Sequence, residues 1–393
     1  MILQRFNFSS LSFFRSTVFA VFLLAISLSL AARKKFDYTS LPREIFSGQQ
    51  GRFHVQGIAC DMKHRFIYMS FTTELLKFDF QGRLLGSVKG ITGHLGCIAF
   101  NPDDGRIYAS VEYKHDDIGA GIQKGLGGVE NDRSTAFYVA IFDTDSITRC
   151  GMDAAEVMKT VYIKEAVDDY NAKVRQNGKT VEHRYGCSGI DGVAIAPKIG
   201  KKRGRNYLYV AYGVYADKER TDNDNQVLLC YDIKDWKTWE KPLHPQKLHH
   251  SGPERPEAKY FVRTGNTTWG VQNLAYDPHN RTLLAAVYAG SKAEWPNYSL
   301  FAIDITRKPI REELEGVEPQ TEADVLTLKP MGLVHEQSGV RGWKFGWGST
   351  GLCPLGKGYY YISHNARDKE SKRESTTAVL YKWNGTDPFE RVE

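Results

Sequence analysis

One offset recurs in five places along this chain, and four of them carry a polar side chain. Gln56, Gly96, Asp191, Gln272 and Thr350 each stand two residues before a pair of small or apolar residues: Ile58-Ala59, Ile98-Ala99, Val193-Ala194, Leu274-Ala275 and Leu352-Cys353. His54 and His94 stand two residues further upstream in the first two copies, and Asn273 directly precedes the fourth pair. A second set follows another recurring apolar run: Glu112, Tyr212, Tyr288, His364, Asn365 and Arg367. Carboxylates facing an imidazole are the raw material of acid–base chemistry, so Asp191 and Glu112 opposite His364 are the catalytic candidates. Ligand-binding roles fall to His54, Gln56, His94, Tyr212, Gln272, Asn273, Tyr288, Thr350, Asn365 and Arg367, with Trp269 and Trp347 as aromatics able to stack on a sugar ring. The same residues also admit a divalent ion: zinc on His54, His94 and Asp191, or calcium on the oxygens of Asp191, Gln272 and Asn273. The plainer alternative is that these are solvated strand ends whose side chains bond water or free backbone groups.

Only a repeat brings such distant residues together. Gln56–Asp61, Phe66–Ser70 and Leu75–Asp79 read as three short strands separated by turn chemistry. The triplet returns at Ile98, Ile107 and Tyr138; at Val193, Tyr207 and Val227; at Leu274, Leu283 and Leu300; and at Leu352, Tyr359 and Val379. A unit that cannot bury its own faces must stack on copies of itself. The pattern resembles β-propellers generally, with the small-apolar first strand and terminal third-strand Asp of lactonase-like and extracellular propellers. That resemblance implies an all-β fold of five blades of four antiparallel strands, with six or seven blades, some degenerate, as the alternative. The small-residue column Ala59, Ala99, Ala194, Ala275 and Cys353 should lie nearest the axis. Residues 36–50 or the segment from Phe389 should supply the strand that closes the ring.

Strand alternation puts most of the extra length on one face. The long connections are 112–134, 165–186, 213–226, 288–298 and 364–377, and propellers place binding on such loops. Residues 165–174 read as a short amphipathic helix, the glycines from Gly119 to Gly128 as a lid-like loop, residues 312–324 as an exposed loop, and Asp222–Asn225 as a solvated turn. No dinucleotide fingerprint, phosphate loop or nucleophile elbow occurs.

The chain of 393 residues carries 52 basic and 46 acidic side chains, a net charge of +6. Without a basic stripe interleaved with aromatics, this excludes nucleic acid as the expected partner. Residues 1–32 read as an export signal: Arg5 and Arg15 precede an apolar run that ends in Ser29-Leu30-Ala31. Retention of that segment would make it an anchor. Residues 33–393 then form one propeller domain, secreted or periplasmic. Six cysteines are sparse for a disulfide scaffold, and the one pair that could close an insertion is Cys150 with Cys187. The expectation is an exported propeller that binds, and hydrolyses or cleaves, a small polar or carbohydrate-like ligand at its channel mouth. The alternative is a non-catalytic scaffold that docks a protein or cell-envelope partner.

Overall fold

The computed structural model describes residues 36–126, 134–201 and 204–393. The expected export signal lies outside them. The chain divides into residues 1–41, of which only a 3-10 turn at Tyr38–Ser40 with its Asp37 cap is described, and a larger unit, Pro42–Glu393. Among the described residues, no helix is long and apolar enough to cross a membrane.

Pro42–Glu393 is a five-bladed β-propeller. The innermost strands are Val55–Asp61, His94–Asn101, Cys187–Pro197, Thr268–Asp277 and Leu352–Gly356, each paired antiparallel with the strand that follows it in sequence. Blades stack face to face, so both sides of these strands are covered, and they read as near-continuous buried runs rather than as alternation. In the first hairpin of each blade, Ile58 faces Met69, Ile98 faces Ala109, Val193 faces Val210, Leu274 faces Ala285, and Leu352 faces Ile362. Ala59, Ala99, Ala194, Ala275 and Cys353 line one central cavity, as expected of an axial column.

Turn chemistry fixes the hairpins. Asp61, Asn101 and Asp277 end innermost strands, and each accepts the backbone N–H two residues on, at 2.9, 3.1 and 2.9 Å. Asp79, Asp143, Asp232 and Asp304 do the same after third strands. The terminal aspartates noticed in the sequence are therefore turn formers.

Both expected closing strands are used. Glu44–Phe46 pairs with the Thr377–Val379 half of the strand Glu374–Trp383, and Phe389–Arg391 pairs with its Tyr381–Trp383 half. Arg391 and Glu44 join the two segments in an ion pair.

Several connections differ from expectation. Asp117–Gly125 is an α-helix, capped by the Asp116 carboxylate on the Gly119 N–H, because the glycines are interspersed with residues that sustain a helical turn; residues 127–133 are not among those described. Ile310–Glu313 and Glu322–Val325 form a hairpin rather than a free loop, and the second strand pairs parallel with Ala258–Arg263, extending blade three to six strands. Asp222–Asn225 is buried rather than solvated. Lys292 Nζ donates to Asn223 Oδ1 at 2.8 Å, to Asp224 Oδ1 at 2.7 Å and to the Arg220 carbonyl at 2.6 Å, and so supplies the cation for that turn. The helix expected over 165–174 spans Lys164–Asn171. All six cysteines are free: Cys187 is buried while Cys150 is exposed.

Candidate functional site

A bulge sets up the site. In the first four blades the ladder slips between Val55 and Gly57, Leu95 and Ile98, Ile190 and Val193, and Val271 and Asn273. Gln56, Gly96, Asp191 and Gln272 sit in these slips, and a bulge re-aims the side chain it carries. The recurring offset in the sequence is thus the bulge column. Gly96 is glycine for a steric reason. A Cβ there would lie 2.3 Å from Ser110 Oγ and 3.1 Å from Asp191 Oδ1.

Four charged groups converge on this column. Asp191 Oδ2 accepts the Gln272 side-chain amide at 3.0 Å, whereas Oδ1 has no hydrogen-bond partner although the residue is only 9% exposed. His94 Nδ1 lies 3.9 Å from that Oδ1 and 3.4 Å from Glu112 Oε2. Lys114 Nζ lies 3.0 Å from the same Glu112 oxygen and donates to the Ser188 carbonyl at 2.7 Å. Glu112 Oε1 accepts the Ile190 N–H in a short bond, which ties the end of blade two's second strand to blade three's first. Gly189, at φ 123°, leaves room for that carboxylate.

The electrostatics separate the two acids. Burial, with Glu112 next, pushes the Asp191 carboxyl up to about 6. Burial acts against charge on Glu112 as well, but Lys114 and then the His94 hydrogen bond outweigh it and hold this acid below its ordinary value. His94 is raised: burial opposes its proton, and the Glu112 bond and the Asp191 charge retain it. Two carboxylates in one site with opposed shifts mark an acid–base arrangement.

Donor atoms of His94, Glu112 and Asp191 all lie within 4.8 Å of one another, so a divalent ion fits the spacing. Lys114 already fills the cationic position at Glu112, while Asp191 Oδ1 has no hydrogen-bond partner.

The other expected residues divide into three groups. Gln56 bonds Thr72 Oγ1 at 3.1 Å and His54 Nε2 at 3.3 Å; burial, and then His94, holds His54 toward its neutral form. Thr350 bonds Ser363 and Asn365 at 3.0 and 2.7 Å, and burial raises the Tyr288 hydroxyl, which lies within range of the Asp191 charge. These residues rim the mouth.

Asn273 is the floor. Its buried amide donates to the carbonyls of Gln56 and Ser349 at 2.8 and 2.9 Å, and the Cys97 thiol reaches its Oδ1 at 3.5 Å. Blades one, two, four and five are thereby tied together between the mouth and the axial cavity.

Three residues lie elsewhere. The imidazole that meets the carboxylates is His94, not His364, which stacks on Trp347 at 3.9 Å and bonds the Tyr381 hydroxyl at 3.0 Å. Tyr212 is fully buried beneath Lys259, whose ammonium is held by Glu165 and Asp169. Arg367 pairs with Glu374 at 3.5 Å at an exposed sheet edge.

Sequence reasoning missed Lys114, although its spacing from Glu112 would have found it, since residues two apart on a strand share a face. It also missed an aromatic row beside the site. Tyr170 meets His183 at 4.3 Å, His183 meets Tyr215 at 5.2 Å, and Tyr215 meets the exposed Trp269 at 6.0 Å. Burial raises the Tyr170 and Tyr215 hydroxyls, which lie within range of each other and of Lys114 and Asp116.

The chain matches no protein-family model, and no curated protein is similar to it.

Proposed function

We propose that this protein, exported from the cytoplasm, binds a small polar, carbohydrate-like ligand at the propeller mouth and cleaves it by acid–base chemistry. The observation that carries the reading is the Asp191 Oδ1 atom, buried, without a partner, and 3.9 Å from His94 Nδ1. Leaving a buried carboxylate oxygen unbonded costs about 1–3 kcal/mol or more, which a purely structural position has no reason to bear. A carboxyl raised to about 6 suits a base near neutral pH. Asp191 takes a proton from water attacking the ligand, or from a carbon beside the scissile bond; protonated His94 gives one to the leaving oxygen. The first route is hydrolysis and the second elimination, and in both the proton returns from Asp191 to His94 through solvent. Glu112 keeps His94 oriented and protonated, and Lys114 holds Glu112 in its charged form.

The test is turnover of a panel of aryl glycosides and oligosaccharides, read as reducing ends and as absorbance of unsaturated product. Asp191→Asn and His94→Gln should each lower kcat by about 10²–10⁴-fold with unchanged folding. Full activity in both variants would overturn the reading. Loss of activity on chelation, restored by zinc or calcium, would replace the acid–base pair with a metal.

A further inference from the structure

Trp269 lies at the start of the innermost strand of blade four and Trp347 just ahead of that of blade five, and both remain well exposed, at 38% and 41%. Scattered exposed aromatics need no explanation, but these two are held in place at a cost. Trp269 has φ 61°, a left-handed conformation that a bulky side chain rarely adopts. Close backbone contact enforces it. A Cβ on Gly213 would lie 2.2 Å from the Trp269 carbonyl oxygen, and one on Gly270 would lie 2.0 Å from Gly213 Cα. Burial does not repay this strain, because the indole stays exposed. Tyr215 supports it edge-on, at 6.0 Å and 72°. Trp347 is backed by His364 in a parallel stack at 3.9 Å and 13°, and that imidazole is itself pinned by the Tyr381 hydroxyl at 3.0 Å.

Both indoles are wired to the mouth. The Gln272 amide that holds Asp191 Oδ2 also donates to the Trp269 carbonyl at 3.2 Å. Trp347 lies two residues before Ser349, whose carbonyl accepts the Asn273 amide that closes the floor. A rigid, backed, exposed indole presents an apolar face beside polar groups, the complement of a sugar ring with its C–H face and hydroxyl edge.

We infer that Trp269 and Trp347 are stacking stations for successive sugar rings, so that the ligand is an oligosaccharide running over the Asp191 oxygen rather than a lone small molecule. This rests on the reading of the mouth as a ligand site, and it deepens that reading from a small carbohydrate-like ligand to an oligosaccharide held on the two expected tryptophans. It also gives His364 a role as the backing of a stacking surface.

Native affinity electrophoresis in soluble xylan, mixed-linkage β-glucan, pectin and dextran tests the inference, followed by calorimetric titration of the oligosaccharide from whichever glycan retards the protein. The wild type should be retarded by at least one glycan but not bind adenosine, a planar ligand without a sugar chain. Trp269→Ala and Trp347→Ala should each weaken binding by tenfold or more at unchanged melting temperature. Trp269→Phe should retain most of the affinity, which separates a lost stacking face from a collapsed loop. Binding is read without turnover, so a failure of the cleavage chemistry leaves the stacking result standing. Equal affinity in both alanine variants would overturn the inference, as would retardation by none of the four glycans, or adenosine binding that the alanine substitutions abolish.

Discussion

The Ser110 hydroxyl donates to the main-chain carbonyl of Asp191 across 2.8 Å, from the second strand of blade two to the bulge of blade three. Ser70 makes the equivalent bond to the Gly96 carbonyl, also at 2.8 Å. The bulges are thus pinned from the neighbouring blade. Ser110→Ala would leave a buried carbonyl unsatisfied, and should lower the unfolding free energy in urea by about 1–3 kcal/mol. A variant as stable as the wild type would show that the bulge holds its shape without this bond.

The raised carboxyl of Asp191 gives a pH signature of unusual sign. Because its pKa is about 6 when folded and about 4 when unfolded, the native state holds the proton more tightly across that window. Stability from this group is therefore greatest below about pH 4, falls as pH rises, and is fully lost above about 6. Asparagine does not titrate. Asp191→Asn should gain on the wild type by on the order of 2 kcal/mol between pH 4 and 7.5 in parallel urea titrations. A gap that narrows with rising pH would mean that Asp191 is a stabilising, ion-paired acid.

Two glycines make opposite predictions. Gly189→Ala places a Cβ 2.0 Å from Glu112 Oε1 at φ 123°, and should cost about 1–3 kcal/mol as well as activity. Gly121→Ala, in the helix Asp117–Gly125 with no atom within 4 Å of the new methyl, should stabilise by about 0.5–1 kcal/mol. Thermal unfolding of the two variants side by side decides both.

Lys292→Met removes the ammonium shared by Asn223, Asp224 and the Arg220 carbonyl. Abandoning a buried counter-charge costs about 3–5 kcal/mol, visible as a lower denaturant midpoint. An unchanged midpoint would mean that water replaces the ammonium.

Phe389 is buried against Tyr360 at 4.8 Å, Phe345 at 5.1 Å and Trp383 at 5.5 Å. Phe389→Ala should cost about 3–5 kcal/mol, more than an ordinary edge-strand residue would. Calorimetry should still show one transition. A separate early transition would indicate that this segment merely decorates blade five.

Much of the architecture was legible because a propeller repeats its constraints. The small axial column and the aspartate turns return in most blades, so Ala59 and Ala275 could be matched without a template. The site's position was legible for the same reason, since Asp191 and Gln272 share the offset that the bulges occupy. Its pairing was not. Glu112 meets His94 because the two stand directly opposite each other in blade two's first hairpin, whereas His364 belongs to blade five; finding that pair required the strand register, which a column of aligned first strands does not give. The insertions were hardest. Ile310–Glu313 carries no buried residue and pairs only within its own hairpin, and that hairpin joins the sheet through a parallel contact far along the chain. The charge of Lys292 likewise gave no hint that it would end inside a turn of aspartates and asparagines.

Sharing the edge of Glu374–Trp383 between Glu44–Phe46 and Phe389–Arg391 has a consequence for biogenesis. The early segment has no partner strand until some 330 residues later in the chain, so during synthesis blade one stands beside an open gap. Until the ring shuts, the facing flanks of blades one and four lack the cover that blade five will give them. Closure is therefore a late, long-range event, with the loop-closure cost falling on one step. Such a chain gains from a chaperone that holds the open ring until the last blade forms.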